Sequence, residues 1–184
     1  MPALITKDNT ITFTLDDPKH QQHLSSYAIF SDDTGYLVIS DIDDTIKDSA
    51  VLDTKTLLKN TFLYPPKTTH GMPQRFKELE DFLPNPLFVY VSSSPIQLYP
   101  TLHKFIDEHY PKGLLKLRQS TAWNEVIASK AETMAHKTSS ITDLLEVYPN
   151  KRVVLFGDSG EHYPEIYLEI AQRYPQRIEQ ILIR

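Results

Sequence analysis

Two aspartates, Asp41 and Asp43, are the residues best suited to chemistry in this sequence, and they follow an apolar run at residues 36–40. Because side chains of an extended backbone repeat every two residues, both carboxylates lie on the same side of the chain. Like charges that close repel each other, so neutralising Asp41 should preserve or raise the stability of the metal-free protein. A solvated acidic turn is the alternative, but the preceding run is too apolar to favour it. Since oxygen ligands suit Mg²⁺ rather than Zn²⁺, the spacing predicts a nucleophile beside a divalent-metal site.

The elements that hold these aspartates are predicted from hydrophobic periodicity. Apolar runs alternate with amphipathic helical stripes, which favours an α/β fold with a single doubly wound parallel sheet and helices on both faces. The predicted strands cover residues 36–40, 87–91, 114–117, 152–156 and 178–183, and the helical stripes cover 72–83, 102–109, 141–148 and 167–174. Ligands of such sheets bind beyond the carboxyl ends of the strands, where residues 41–45, 92–94 and 158–161 bring acids and hydroxyls together.

Two helix starts are predicted from capping patterns. Ser140, with Asp143 three residues on, resembles the cap of the helix over residues 141–148. Pro164 suits the first position of the last helix, which places Tyr163 at the N-cap of that helix.

Length and composition bound the class of protein. The 184 residues fit one compact domain, which we place at residues 35–184, behind a stub at residues 1–34 whose alternating segment 10–15 is a candidate edge strand. The formal net charge of −5 gives no overall attraction to nucleic acid. No apolar run approaches the roughly 20 residues that span a bilayer, so no transmembrane segment is predicted. The absence of cysteine fits a reducing compartment, and we expect a cytoplasmic protein whose oligomeric state stays open.

Several segments together carry a resemblance to a known family: SDIDDTIKDS, YVSSSPIQLYPTL, GLLKLR, and the stretch from FGDSGEHYPEIY to RIEQILIR. DIDDT resembles the DxDxT motif of the haloacid dehalogenase superfamily. The ordered set resembles the catalytic domain of the fungal and bacterial phosphatidate phosphatases related to lipin, over residues 35–184. The resemblance implies a haloacid dehalogenase-like Rossmannoid sheet. Residues 47–71 and 119–135 are too short for a large folded cap, so we expect little or no cap.

The resemblance implies a mechanism through an aspartyl-phosphate intermediate. Asp41 would be the nucleophile, since covalent catalysis divides one difficult displacement into two easier ones. Asp43 would protonate the leaving alcohol and then activate water. Mg²⁺ would lie between the Asp41 carboxylate, the Asp43 backbone carbonyl and Asp158, where it would neutralise phosphoryl charge. Glu161 would add an outer acid to this metal site.

Hydroxyl groups near the predicted strand ends supply further candidates. Thr45 would orient the loop after the first aspartate, or would act as a simple cap at a helix start. Ser92 is favoured as the hydrogen-bond donor to a phosphoryl oxygen because it ends its strand. Ser93 and Ser94 would either share that task or cap the following helix.

Basic residues supply the candidates for contacts with the phosphoryl group. The resemblance implies a lysine before the helix that precedes the fourth strand. Lys137 fits this place, and Lys130 is the alternative. Lys47 and Arg118 lie beside strand ends, where they are either substrate contacts or solvated surface residues.

Tyr163 departs from the family pattern GDSGxxDPEIY, which has aspartate at this position. Aspartate would cap the helix and support the metal site, whereas tyrosine cannot cap in that way. We therefore expect this chain to need more Mg²⁺ than its relatives or to turn over slowly. The alternative is that the Tyr163 hydroxyl points into the site and contacts the substrate.

An open site suits a phosphate that projects from a larger body, such as a lipid headgroup at a membrane face. The resemblance accordingly implies a phospholipid substrate, with phosphatidate hydrolysed to diacylglycerol and phosphate by a protein peripheral to the membrane. One alternative is a phosphatase of a protein, nucleotide or inositol phosphate that uses the same chemistry. The other, suggested by Tyr163, is a catalytically silent module that binds phospholipid.

Overall fold

A computed structural model of the chain describes residues 10–17, 22–49, 66–119, 130–160 and 162–184. The expectation of little or no cap concerns mainly residues 50–65 and 120–129, which lie outside these ranges. In chain order the elements are β1 (Thr10–Asp17), β2 (Gln22–Ile29), β3 (Tyr36–Asp41), β4 (Lys47–Asp48), β5 (Lys67–Thr68), α1 (Met72–Phe82), β6 (Leu87–Pro95), α2 (Tyr99–His109), β7 (Gly113–Arg118), α3 (Lys130–Val147), β8 (Arg152–Gly157), α4 (Tyr163–Arg173) and β9 (Ile178–Ile183). Among the helices in the described ranges, none is both long and apolar enough to span a bilayer.

Five parallel strands form the central sheet, in the order β7-β6-β3-β8-β9. β3 lies in the middle, with Ser40 opposite Tyr90 of β6 and Phe156 of β8. The inner strands are continuously apolar because both of their faces are covered. The predicted α/β fold is confirmed, and each of the five predicted strands lies within an observed one.

Helices cover both faces of this sheet. On one face, Phe76 of α1 is fully buried, and its ring centroid lies 5.0 Å from that of Phe156. Phe105 of α2 belongs to the same buried cluster. Neighbouring residues of a strand point to opposite faces, so Leu37 and Ile39 meet the other side of the sheet. There α3 and α4 contact β6, β8 and β9, which makes the sheet doubly wound.

The N-terminal part of the chain forms a compact unit of its own. The chain divides into the units Met1–Asp32 and Asp33–Arg184. In the first unit β1 pairs antiparallel with β2, from Thr10 opposite Ile29 to Asp17 opposite Gln22. The candidate strand at residues 10–15 is therefore present, but it is one half of this hairpin. The edges of the five-stranded sheet are β7 and β9 instead.

The helix before β8 begins earlier than predicted. α3 starts at Lys130, so Ser140 lies inside the helix and the predicted cap at that residue is wrong. The same extension places Lys137 within α3 rather than before it. Residues 130–139 carry no apolar stripe, but they contain good helix formers such as Ala131 and Glu132.

Candidate active site

Asp41 is the last residue of β3 and lies at the carboxyl end of the parallel strands, where it is 2% exposed. A tight loop follows, in which two later backbone N–H groups donate to the Ile42 carbonyl at 3.0 and 2.9 Å. Asp44 lies in this loop with a φ of 56°, a left-handed conformation that aspartate tolerates better than most residues. The DIDDT segment is thereby folded so that Thr45 returns to Asp41.

Both oxygens of the Asp41 carboxylate have hydrogen-bond donors. Thr45 Oγ1 donates to Oδ2 at 3.1 Å, and the Tyr163 hydroxyl donates to Oδ1. Lys137 Nζ lies 3.6 Å from Oδ1, and Lys137 is 1% exposed, so the two charges form a buried ion pair. The chain continues from Thr45 into β4 and not into a helix, so the alternative of a helix cap does not apply. Asp41 is therefore held in one orientation, with its charge compensated.

Asp43 contacts Lys47 and serine hydroxyls. Lys47 Nζ forms an ion pair with Oδ1, which also accepts a hydrogen bond from Ser49 Oγ at 3.0 Å. The hydroxyls of Ser92 and Ser94 donate to Oδ2 at 3.3 and 3.4 Å. Burial raises the pKa of Asp43, but the charge of Lys47 and the hydrogen bonds from Lys47 and Ser49 outweigh burial, so the pKa is lowered overall. Asp43 is therefore ionised in this arrangement at neutral pH.

The three serines near the end of β6 have different surroundings. Ser92 and Ser94 are joined to each other as well as to Asp43, since the Ser94 backbone N–H donates to Ser92 Oγ at 3.0 Å. The Ser93 carbonyl accepts a hydrogen bond from Arg118 Nε at 3.3 Å. Within the described ranges the buried Ser93 Oγ has no hydrogen-bond partner. Arg118 thus lies beside the serines and stays a candidate for contact with the substrate.

Lys137 is the lysine that the structure brings to Asp41, while the side chain of Lys130 lies outside the described residues. His136 precedes Lys137 in the chain. Burial lowers the pKa of His136, and the charges of Arg118 and Lys137 lower it further, against a hydrogen bond with the Ser92 backbone. The imidazole is therefore neutral near pH 7 and adds no charge to the site.

Asp158 follows β8, the strand next to β3, and is buried. The Gly160 backbone N–H donates to its Oδ2 at 2.6 Å, and a Cβ on Gly160 would lie 2.9 Å from that oxygen. Across the described ranges, no three acidic, histidine or cysteine side chains form a group that could hold a metal ion. The Asp41 and Asp158 carboxylates, together with a backbone carbonyl and water, are nevertheless oxygen donors of the kind that Mg²⁺ takes. Glu161 lies outside the described residues.

Tyr163 contacts the site in a way that its predicted cap position did not imply. α4 begins at Tyr163 with His162 as its N-cap, so the predicted N-cap is wrong by one residue. Proline fits the first turn of a helix, not its first position alone, because the N–H groups of that turn have no helical partner. The ring packs on Gly157, where an added Cβ would lie 2.6 Å from Tyr163 Cγ. The hydroxyl reaches Asp41, which agrees with the alternative that it points into the site.

Ser49 is a site residue that the sequence did not single out. Its hydroxyl accepts a hydrogen bond from Lys47 Nζ at 2.9 Å and donates to Asp43. Its backbone N–H donates to Asp44 Oδ1 at 3.0 Å. The signal for Ser49 in the sequence is its spacing from Lys47, because side chains two residues apart lie on the same side of an extended segment.

Comparisons with known proteins identify the family. The family model described as "Phosphatidate phosphatase APP1, catalytic domain" matches residues 36–184. Phosphatidate phosphatase APP1 of Saccharomyces cerevisiae is 34% identical over 183 residues, which cover 95% of this chain and 30% of that protein. An uncharacterised protein of Schizosaccharomyces pombe is 32% identical over 197 residues, which cover 100% of this chain and 32% of that protein. The chain thus spans about a third of the length of both relatives. The resemblance seen in the sequence is confirmed, and the chain belongs to the family of the phosphatidate phosphatase APP1 catalytic domain.

Proposed function

We propose that this chain is a Mg²⁺-dependent phosphomonoesterase that acts through an aspartyl-phosphate on Asp41, with phosphatidate as its substrate. The observation that carries the proposal is the buried Asp41 carboxylate, held by Thr45 and Lys137, with Asp43 two residues on. A fixed carboxylate beside a cation suits nucleophilic attack on a phosphoryl group. Family membership supports the substrate, since the yeast relative is named as a phosphatidate phosphatase.

In the first step, a carboxylate oxygen of Asp41 attacks phosphorus, and a new bond forms between that oxygen and phosphorus. The bond between phosphorus and the ester oxygen breaks, and its electron pair leaves with the ester oxygen. That oxygen takes a proton from Asp43 and departs as the alcohol of diacylglycerol. Lys137 stabilises the negative charge that gathers around Asp41 and the phosphoryl group.

Asp43 must gain a proton before it can donate one, because Lys47 holds the pKa of this carboxyl below its ordinary value. A phosphoryl group that enters the site offers Lys47 a second anion. As the lysine shifts toward the phosphoryl oxygens, the effect of burial remains, and the pKa of Asp43 rises. We therefore assign Lys47 to substrate binding and infer that its change of partner prepares Asp43 as an acid.

In the second step, Asp43 is a carboxylate again and removes a proton from water. The water oxygen attacks phosphorus, the bond to Asp41 breaks, and phosphate leaves. Asp41 then returns to its hydrogen bond with Thr45 and its ion pair with Lys137. When bound by Asp41, Asp158 and the Asp43 carbonyl, Mg²⁺ would supply positive charge that stabilises the phosphoryl oxygens.

The lipid nature of the substrate is supported by the family and not by the residues around Asp41. Phosphatidate presents its phosphate at a membrane surface, so we propose that the chain acts there as a peripheral protein. A soluble phosphomonoester is the first alternative, because the described groups recognise only the phosphoryl end. The contact of Tyr163 with Asp41 favours a second alternative, a silent module that binds phospholipid without turnover.

Phosphate release from phosphatidate in mixed micelles, with and without Mg²⁺, tests the proposal. We expect Mg²⁺-dependent release that exceeds release from nucleotide, inositol phosphate and phosphopeptide substrates. Asp41→Asn should abolish release, while Asp48→Asn, at an exposed residue of the same segment, should not change it. Faster phosphate release from a soluble ester would show that this ester, and not phosphatidate, is the substrate. Binding to phosphatidate vesicles without release would establish the silent module, and substantial turnover by Asp41→Asn would reject the aspartyl-phosphate.

A further inference from the structure

We propose that the Tyr163 hydroxyl competes with the divalent cation for Oδ1 of Asp41, so that this tyrosine sets how much cation the site needs. The inference rests on the metal site of the proposed function and gives that site a competitor from the chain itself. The evidence for this competition is the set of contacts among Tyr163, Asp41 and Lys137.

Tyr163 is fixed so that its hydroxyl stays beside Asp41. The residue is 1% exposed, and its hydroxyl donates to Asp41 Oδ1. One side of the ring lies on Gly157, where a methyl group would approach Tyr163 Cγ to 2.6 Å, and the ring centroid is 5.1 Å from that of Tyr167. A ring enclosed in this way cannot swing aside without moving its neighbours, so the hydroxyl oxygen remains near Oδ1.

Lys137 adds a positive charge to the same carboxylate oxygen. Its Nζ lies 3.6 Å from Asp41 Oδ1 and 3.9 Å from the centroid of the Tyr163 ring. Oδ1 therefore accepts a hydrogen bond and faces a full positive charge, while Oδ2 accepts a hydrogen bond from Thr45. A cation that binds Oδ1 must weaken or break the phenolic hydrogen bond, and Lys137 repels it at the same time.

The direction in which cation affinity changes when the Tyr163 hydroxyl is removed distinguishes competition from coordination. If the hydroxyl competes with the ion, its removal makes Oδ1 a better ligand and tightens cation binding. If the phenol oxygen were itself a ligand, its removal would weaken cation binding. If Tyr163 only filled space, removal of the hydroxyl would leave cation binding unchanged.

Tyr163→Phe makes this test while keeping the ring and its contacts with Gly157 and Lys137. Mg²⁺ is titrated by calorimetry into metal-stripped protein without substrate, so the measurement does not depend on turnover. We expect the Kd for Mg²⁺ to fall by about tenfold, the effect of one hydrogen bond to a charged group. Tyr167→Phe is the matched control, because Tyr167 is equally buried on α4 but donates to the Phe156 carbonyl at 2.6 Å. Its Kd should equal that of the wild type.

A second measurement uses the wild-type protein and so does not depend on the folding of a variant. The near-ultraviolet absorption of a phenol shifts when its hydrogen bond to a carboxylate weakens. Mg²⁺ should therefore produce a tyrosine difference spectrum in the wild type. The same difference spectrum should appear in Tyr167→Phe and be absent from Tyr163→Phe.

The outcomes distinguish this inference from the proposed function. An unchanged or raised Kd in Tyr163→Phe overturns the competition, and so does a wild type that binds Mg²⁺ without a tyrosine difference spectrum. Failure of both the wild type and Tyr163→Phe to bind Mg²⁺ rejects the proposed metal site and the competition with it. Tighter Mg²⁺ binding by Tyr163→Phe, in a protein that releases phosphate from no ester, supports the competition and rejects the phosphatase.

Discussion

Replacing Asp41 with asparagine tests the electrostatics of the site, because the sequence and the structure predict opposite signs. From the sequence, Asp41 stands among like charges, so neutralising it should preserve or raise the stability of the metal-free protein. In the structure its carboxylate pairs with Lys137 at 3.6 Å, and both side chains are 2% exposed. We therefore expect Asp41→Asn to destabilise the metal-free protein.

The burial of the pair sets the size of this effect. Removing one partner of a buried ion pair costs about 3–5 kcal/mol, because the other charge stays in surroundings of low dielectric constant. Asparagine keeps an oxygen that can accept hydrogen bonds from Thr45 or Tyr163, and the charge of Asp43 also acts on Lys137. We take the loss as about 2 kcal/mol, below the usual range for these reasons. In a chain of this length, such a loss lowers Tm by roughly 4–8 °C.

Thermal and urea unfolding in EDTA provide the measurement, and a double-mutant cycle isolates the pair. Lys137→Met should be destabilised as well. The variant that carries both substitutions should be more stable than the sum of the two losses predicts, by about 1–3 kcal/mol. Asp48→Asn, at an exposed residue, should unfold like the wild type. An Asp41→Asn protein that melts at or above the wild-type temperature would refute the reasoning and show that repulsion among the aspartates dominates.

Three further predictions concern the ion, the acid and the helix before β8. Mg²⁺ should raise the Tm of metal-stripped protein by mass action, and Ca²⁺ should bind without supporting turnover because its larger, looser shell misplaces the reacting groups; equal rates with both ions would contradict this. In EDTA, Lys47→Met should be less stable than the wild type, and the difference should be largest near neutral pH. The lowered pKa of Asp43 stabilises the fold at pH values above 3.8, the ordinary pKa of this carboxyl, and that contribution is lost as the pH falls through the folded-state pKa. Parallel stability profiles of variant and wild type against pH would disprove it. Arg177→Ala should lower the free energy of unfolding by about 2 kcal/mol in urea, with kcat/KM unchanged. The reason is that Arg177 donates to two carbonyls of the segment after α3, those of Tyr148 and Lys151, at 2.5 and 2.7 Å. A loss of activity at unchanged stability would argue against this purely structural role.

The sheet and the position of the site could be predicted from the sequence because both depend on simple regularities. Strands covered on two faces are continuous apolar runs, so β3, β6 and β8 stand out. Acids and hydroxyls that follow such runs meet at one edge of a parallel sheet, which brings Asp41, Ser92 and Asp158 to the same end. The first turns of α3 had no such signal, since helix propensity without an amphipathic stripe is weak evidence.

The contacts made by individual oxygens of Asp41 could not be predicted from the sequence. Tyr163 lies far from Asp41 along the chain, and its contact depends on the space that Gly157 leaves for the ring. The pairing with Lys137 depends on where α3 begins, and the sequence placed that start too late. Residue types at strand ends therefore indicate the chemistry of the site. The neutralisation of its charges is a property of the fold.

Two aspartates of the DIDDT segment are paired with lysines of the chain, Asp43 with Lys47 and Asp41 with Lys137. A phosphoryl group competes with the aspartates for these lysines, and a divalent cation competes with the lysines for the aspartates. A phosphate that draws Lys137 away makes Asp41 available to the cation, and a cation on Asp41 releases Lys137 to the phosphate. Linkage requires this coupling to be reciprocal, so Mg²⁺ and inorganic phosphate should each lower the Kd of the other by the same factor. Calorimetric titrations in which the two bind independently would mean that the lysines keep their aspartate partners when ligands bind.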